Sequence, residues 1–158
     1  MTFTFTPLEQ ADNNHIYTLE EVIFHAHAWP PEEVESFIGL QTVDGVVLYD
    51  GDAPAGYALW QVVADESEIM TIGIHPGWQG KGLGDKLLSY ILSQLQNRGV
   101  KDVFLHVRVS NEPARKLYEK YGAELLHIRP KYYSAGDKIP AEDAAVYAIR
   151  QFDPALKS

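Results

Sequence analysis

At 158 residues and 46% apolar content, the chain is long enough for one domain with a buried core and too apolar for a disordered segment. Its formal net charge of −9 argues against a nucleic-acid partner, because an acidic surface repels phosphate backbones and no basic run exceeds two residues. The lack of cysteine excludes disulfides, thiolate metal sites and a thiol nucleophile, and no apolar run approaches the ~18 residues of a membrane helix.

The start, Met-Thr-Phe-Thr-Phe-Thr-Pro, alternates like a strand over residues 2–6 and lacks the basic and apolar blocks of a signal peptide. A cytoplasmic protein with no membrane partner is therefore expected. Residues 13–25 read as a helix with Ile16, Leu19, Val22, Ile23 and Ala26 along one side. Pro31 suits the first turn of a second, short helix carrying Val34, Phe37 and Ile38. Strands are expected over 45–49 and 56–63, joined by a hairpin turn at Asp50-Gly51-Asp52, and a third follows over 68–74 after a turn at Asp65–Glu66. Leu83, Leu87, Leu88, Ile91, Leu92 and Leu95 then recur at helical spacing until Gly99. A short buried strand over 103–107, a helix over 111–121 ending at Gly122, and strands over 124–133 and 143–151 around a loop with Gly136 and Pro140 complete the chain. The order β-α-α-β-β-β-α-β-α-β-β predicts a single α/β (α+β) domain over residues 1–158. It should have a mixed, mostly antiparallel sheet of about seven strands, with about four helices on its two faces.

The segment from Ile72 to Gly84 runs from an apolar strand end through a turn into three glycines at alternate positions, Gly80, Gly82 and Gly84, and straight into the long helix. Backbone N–H groups gathered at a helix N-terminus without side chains in the way form a cradle for phosphate oxygens. Gly80-Lys81-Gly82 lacks the Gly-Lys-Ser/Thr ending of a P-loop, and the third glycine comes one residue too soon for a Rossmann fingerprint.

Gln79-x-x-Gly82-x-Gly84 resembles the acyl-CoA signature of the GNAT superfamily of N-acetyltransferases, and the element order matches that superfamily over nearly the whole chain. About 30 residues on, Asn111-Glu112-Pro113-Ala114-Arg115-Lys116-Leu117-Tyr118-Glu119-Lys120-Tyr121-Gly122 resembles its second signature. Within the superfamily the chain is most similar to the bacterial ribosomal-protein alanine N-acetyltransferase branch. That likeness rests on His25-Ala26-His27-Ala28-Trp29-Pro30, the Gln61-Val62-Val63 strand end, Val107-Arg108-Val109-Ser110-Asn111, Arg129-Pro130-Lys131-Tyr132-Tyr133 and Glu142-Asp143-Ala144.

The resemblance implies acetyl transfer from acetyl-CoA directly to a primary amine, with a protein or peptide N-terminus, such as that of a ribosomal protein, as acceptor. A small-molecule amine stays open as acceptor, and so does a non-catalytic acyl-CoA-binding module. It implies that backbone groups of Ile72, Gly73 and Ile74 hold the pantetheine arm and acetyl oxygen. Gln79, Gly80, Lys81, Gly82, Leu83 and Gly84 would hold the pyrophosphate. Asn111 would contact CoA or simply cap its helix.

Tyr118 matches the family's general acid to the leaving thiolate, a role suited to a phenol with a reference pKa near 10. The branch's glutamate base falls at His106, twelve residues before Tyr118. Imidazole can accept a proton near neutral pH but brings no negative charge to draw in an ammonium. Glu68, six residues before Ile74, matches the base position of the histone acetyltransferase branch and is the second candidate. A weak base suits an α-amine, roughly a tenth of which is already neutral at pH 7, better than it suits a lysine. Trp29, Tyr132 and Tyr133 would line the acceptor groove. No metal is expected, since His25 and His27 stand two residues apart with no carboxylate at ligand spacing.

Overall fold

The strand β1 (Phe3–Pro7) pairs antiparallel with β2 (Val43–Asp50), which is joined through a two-residue turn to β3 (Ala53–Val63). This computed structural model describes residues 2–25, 28–133 and 142–150, so the readings at Ala26, His27, Gly136, Pro140 and Gln151 lie outside the described residues. Between β1 and β2 come α1 (Asn13–Phe24), capped by the Asp12 side chain on the Asn14 N–H, and α2 (Pro31–Ile38), with Pro31 in its first turn. After β3 follow β4 (Glu66–Ile74), α3 (Leu83–Asn97), β5 (Asp102–Arg108), α4 (Glu112–Lys120), β6 (Glu124–Tyr133) and β7 (Glu142–Arg150). Short 3-10 turns at Leu8–Gln10 and Pro76–Trp78 have no counterpart in the sequence reading.

Among the described residues, the seven strands form one sheet in the order β1-β2-β3-β4-β5-β7-β6, and only β4 and β5 run parallel. That pair needs a crossover, and α3 supplies it. The sheet separates two apolar layers. On one face α1 and α2 bury Ile16, Leu19 and Val34 against Val47, Tyr57 and Leu59. On the other, Leu87, Leu88, Ile91 and Leu95 of α3 pack with Tyr118 of α4 on Val46, Ala58, Trp60, Leu105 and Tyr147. Each fully buried leucine contributes about 1.5–3 kcal/mol, so α3 is anchored by its apolar stripe. No helix among the described residues is long and apolar enough to cross a membrane.

Strict alternation breaks in β4. Leu59 pairs with Thr71 and Trp60 with Ile69, leaving Met70 as the extra residue of a bulge. Before it, Ile69 faces α3; after it, Thr71 and Gly73 face α1 while Ile72 packs toward α3. A bulge adds twist and bends its strand, and here it reverses the phase of the side chains as well. The pairing of β4 with β5 stops at the same level, its last partners being Ile69 and Leu105. Beyond that point β4 stays on β3 up to Ile74, and β5 stays on β7 up to Arg108, so the sheet opens between them.

Gly73 is where α1 comes closest to the opened strand. A methyl group there would meet Ile23 Cγ2 at 2.8 Å, and that branched side chain has little room to yield. Gly73→Ala should therefore push α1 off β4 and destabilise the protein by about 1–3 kcal/mol, the usual cost of overpacking. Chemical denaturation of the two proteins reads this as a lower midpoint with an unchanged slope.

Candidate functional site

Positive φ at Gly80 (79°) and Gly82 (77°) turns the chain back on itself between Trp78 and α3, and no neighbouring atom would meet a side chain built at either position. Gly82 is the left-handed N-cap of α3, and no side chain caps the helix. Its first-turn N–H groups thus face open space with the positive end of the helix dipole behind them. Three side chains hold the loop. Gln79 Nε2 donates to the Ile74 carbonyl at 3.0 Å, the Gly77 N–H donates to His75 Nδ1 at 2.9 Å, and Trp78 Nε1 donates to Asp50 Oδ2 at 3.0 Å. Asp85, in the first turn of α3, takes Lys120 and the Tyr121 hydroxyl from the end of α4, and these partners hold its carboxyl below the usual range.

From this loop a groove runs along Ile72, Gly73 and Ile74 to α4. Of the expected cofactor positions, Ile72, Gly73, Ile74, Gln79, Gly80, Gly82, Leu83, Gly84 and Asn111 line it together. Lys81 is exposed and does not line it. The sequence reading missed the apolar wall given by Phe24, Trp78, Ala114 and Leu117. Asn111 caps α4, its side chain accepting from the Ala114 N–H at 3.3 Å, while it also borders the groove. An open anion cradle continuous with a narrow apolar trough fits a nucleotide-tailed thioester: pyrophosphate at α3 and the pantetheine arm along β4.

The groove ends in the opening between β4 and β5, where side chains from both faces of the sheet converge. Tyr118 reaches it from α4; it is buried and meets the Tyr147 ring edge-on with centroids 6.2 Å apart. From the opposite face come His106, Glu20, Phe24 and Trp29. Alternation along β5 explains the division: Val103, Leu105 and Val107 point into the α3 layer, which turns His106 and Arg108 to the α1 side.

Glu68 does not line the opening. It lies on the rim, with its Oε1 3.3 Å from His106 Nδ1. That nitrogen is buried and has no better-aligned hydrogen bond among the described residues, so the carboxylate is its electrostatic partner. The imidazole lowers the Glu68 carboxyl below its ordinary value against the opposing push of burial, and Arg129 adds a smaller pull. Tyr132 stacks on the other side of the His106 ring at 5.0 Å, with the Arg129 guanidinium 4.5 Å over the tyrosine. The two base candidates of the sequence are thus one contiguous pair, with an aromatic neighbour from the final hairpin.

On the α1 side of the opening, Trp29 packs its ring on Phe37 of α2 at 5.0 Å and donates its backbone N–H to Glu20 Oε2 at 2.9 Å. Tyr133 lies in β6 opposite Glu142, and its side chain is outside the described residues. Glu142 ties β7 to the turn before α4, accepting from the Ser110 N–H at 3.0 Å and from its hydroxyl, and these contacts lower its carboxyl. Glu20 was missed because it sits on the buried face of α1, where periodicity calls for an apolar residue. Among the described residues no three His, Cys, Asp or Glu side chains gather as a metal site.

An uncapped helix start beside a glycine loop, an opened parallel strand pair and a tyrosine and a histidine lining one opening fit an acyl-CoA-dependent transferase. The family model described as the Acetyltransferase (GNAT) family matches residues 13–123, and the chain belongs to that family. It is an acetyl-CoA-dependent N-acetyltransferase. The chain is 34% identical over 146 residues to the ribosomal protein bS18-alanine N-acetyltransferase of Escherichia coli strain K12, covering 92% of this chain and 96% of that protein. It is 37% identical over 126 residues to the enzyme of the same name from Salmonella typhimurium, covering 78% of this chain and 83% of the other. The crystal structure of the Escherichia coli ribosomal-protein-S18-alanine N-acetyltransferase superposes with a TM-score of 0.86 at 32% identity over 94% of each chain.

The Glu68 shift carries a sign. A carboxyl held below its unfolded value stabilises the fold above that value, and the contribution disappears as pH falls through the lowered one. Thermal midpoints followed from pH 6 down to about 3 should fall more steeply for wild type than for Glu68→Gln. Half-exposure of the carboxylate keeps the difference small.

Proposed function

We propose that this chain acetylates the α-amine of a protein N-terminus, of the ribosomal-protein alanine type, working as a single acetyltransferase domain in the cytoplasm. The observation that carries the proposal is the convergence of Tyr118 with the His106–Glu68 pair from opposite faces of the opening. The names of the relatives sharing most of its length support the acceptor class.

Acetyl-CoA supplies an acetyl group activated as a thioester. Backbone groups of Ile72, Gly73 and Ile74, freed where β4 leaves β5, hold the donor along the strand, and the glycine loop with α3 holds its pyrophosphate. His106 accepts the proton of the incoming ammonium, directly or through a water. Glu68 orients the ring and stabilises the imidazolium that results, restoring the negative charge that a lone imidazole lacks. The amine nitrogen bonds to the acetyl carbon and releases its remaining extra proton to solvent, the carbon–sulfur bond breaks, and Tyr118 gives a proton or a hydrogen bond to the departing sulfur, regaining any proton it gives from solvent. Trp29 and Tyr132 border the path of the acceptor, with the Tyr133 strand end beyond.

Mass spectrometry after incubation with acetyl-CoA and peptides beginning with Ala, Ser or Met, beside an internal-lysine control, tests the acceptor. An acetyl group on the α-nitrogen is expected. Acetylation of the lysine control alone, or of small amines in place of peptides, overturns the reading, and no turnover with any amine leaves a binding module. Tyr118→Phe should keep the fold and the acetyl-CoA KM while lowering kcat on the order of 10²–10⁴-fold. His106→Ala should lose most at low pH and recover toward wild type as pH rises past about 8, where an α-amine loses its proton unaided.

A further inference from the structure

Among the described residues Glu20 is the only buried charged side chain, at 3% exposure. It occupies the face of α1 that Ile16 and Leu19 bury, where an apolar residue would pack without desolvating a charge. Its carboxylate is nevertheless fully engaged. The Tyr57 hydroxyl of β3 donates to Oε1, the Thr71 hydroxyl of β4 donates to the same oxygen at 3.3 Å, and the Trp29 N–H donates to Oε2. Burial raises the Glu20 carboxyl despite these three donors, so the group is retained at a cost in stability.

The arrangement gives position in return. Trp29 belongs to the loop between α1 and α2, and Thr71 is the residue after the bulge, next to Ile72 on the opened strand. The Glu20 carboxylate accepts hydrogen bonds from both, and it borders the opening beside Met70 and His106. We propose that Glu20 is a positioning residue for the acceptor: by tying the Trp29 backbone to β4 it sets the width of the acceptor side of the opening, and so how the amine-bearing chain seats beside His106. This rests on the reading that the acceptor enters past Trp29.

Glu20→Gln preserves volume and the two hydroxyl bonds but gives up the charge and the balanced acceptance from Trp29. Tyr57→Phe removes one donor from the carboxylate on the far side from the acceptor. For Glu20→Gln the KM of the acceptor peptide should rise about tenfold, with kcat, the acetyl-CoA KM and the thermal midpoint close to wild type. Tyr57→Phe should move the peptide KM the same way by a smaller factor. A fall in kcat at constant peptide KM would assign Glu20 to the chemistry instead. A parallel loss of thermal midpoint and of both KM values would make it a structural residue only, and no change in any of them would leave it without a role; each overturns the proposal. The acceptor is whichever amine the wild-type protein turns over. A wild type inactive on every N-terminal peptide thus counts against the function proposed above, while the KM split is still read on the amine it accepts.

Discussion

The site depends on a single departure from regular structure, the point at which β4 stops pairing with β5. Backbone N–H and C=O groups in a sheet interior must find partners, and an unpaired run is costly unless something else satisfies it. Past Ile69 and Leu105 the groups of the two strands facing the gap are not served by each other. The Met70 bulge sits at that level and supplies the bend. The same parallel pair requires a crossover, and the helix that provides it begins beside the end of β4. One topological choice therefore places an opened strand edge and an uncapped helix N-terminus side by side, one suited to a thioester arm and the other to phosphates.

The bulge also decides which groups meet. Had β4 continued in phase, Thr71 would face the α3 layer and Ile72 would face α1. With the extra residue Thr71 turns to Glu20, and Gly73 makes room for Ile23 of α1. Chemistry-bearing groups consequently arrive from both layers: a phenol from the α4 side, an imidazole and two carboxylates from the α1 side. In the mechanism proposed above, substrate lying in the gap meets both groups.

Much of this was legible along the chain. The periods of 2 and 3.6, the glycines and the two signature segments place all seven strands and four helices within about three residues, because these signals are local. Nine of the ten expected cofactor positions share one groove, eight of them because they fall in the single segment Ile72–Gly84; Asn111 joins from the start of α4, and the exposed Lys81 does not line it. What local patterns do not carry is phase and cross-strand distance. The bulge is invisible in Glu68-Ile69-Met70-Thr71, where strict alternation is the natural reading. That His106 and Glu68 touch follows from the parallel register of β4 and β5, 38 residues apart in sequence, which no spacing rule gives. Glu20 is hidden for a related reason, as a polar residue at an apolar position whose partners come from β3, β4 and the next loop.

A histidine at position 106 paired with a carboxylate at the rim differs in one respect from a carboxylate base alone. A carboxylate base attracts the incoming ammonium by its charge and then takes its proton. A neutral imidazole does only the second, and once protonated it would repel the next cation. With Glu68 3.3 Å from Nδ1, the mechanism proposed above divides charge and proton acceptance between two residues. The His106 contact holds the Glu68 carboxyl below its ordinary range, which favours its ionised form. Tyr132 stacks on the His106 ring, and the Arg129 guanidinium lies over Tyr132. In that proposal the negative charge stands one strand over from the proton acceptor, at the rim of the opening.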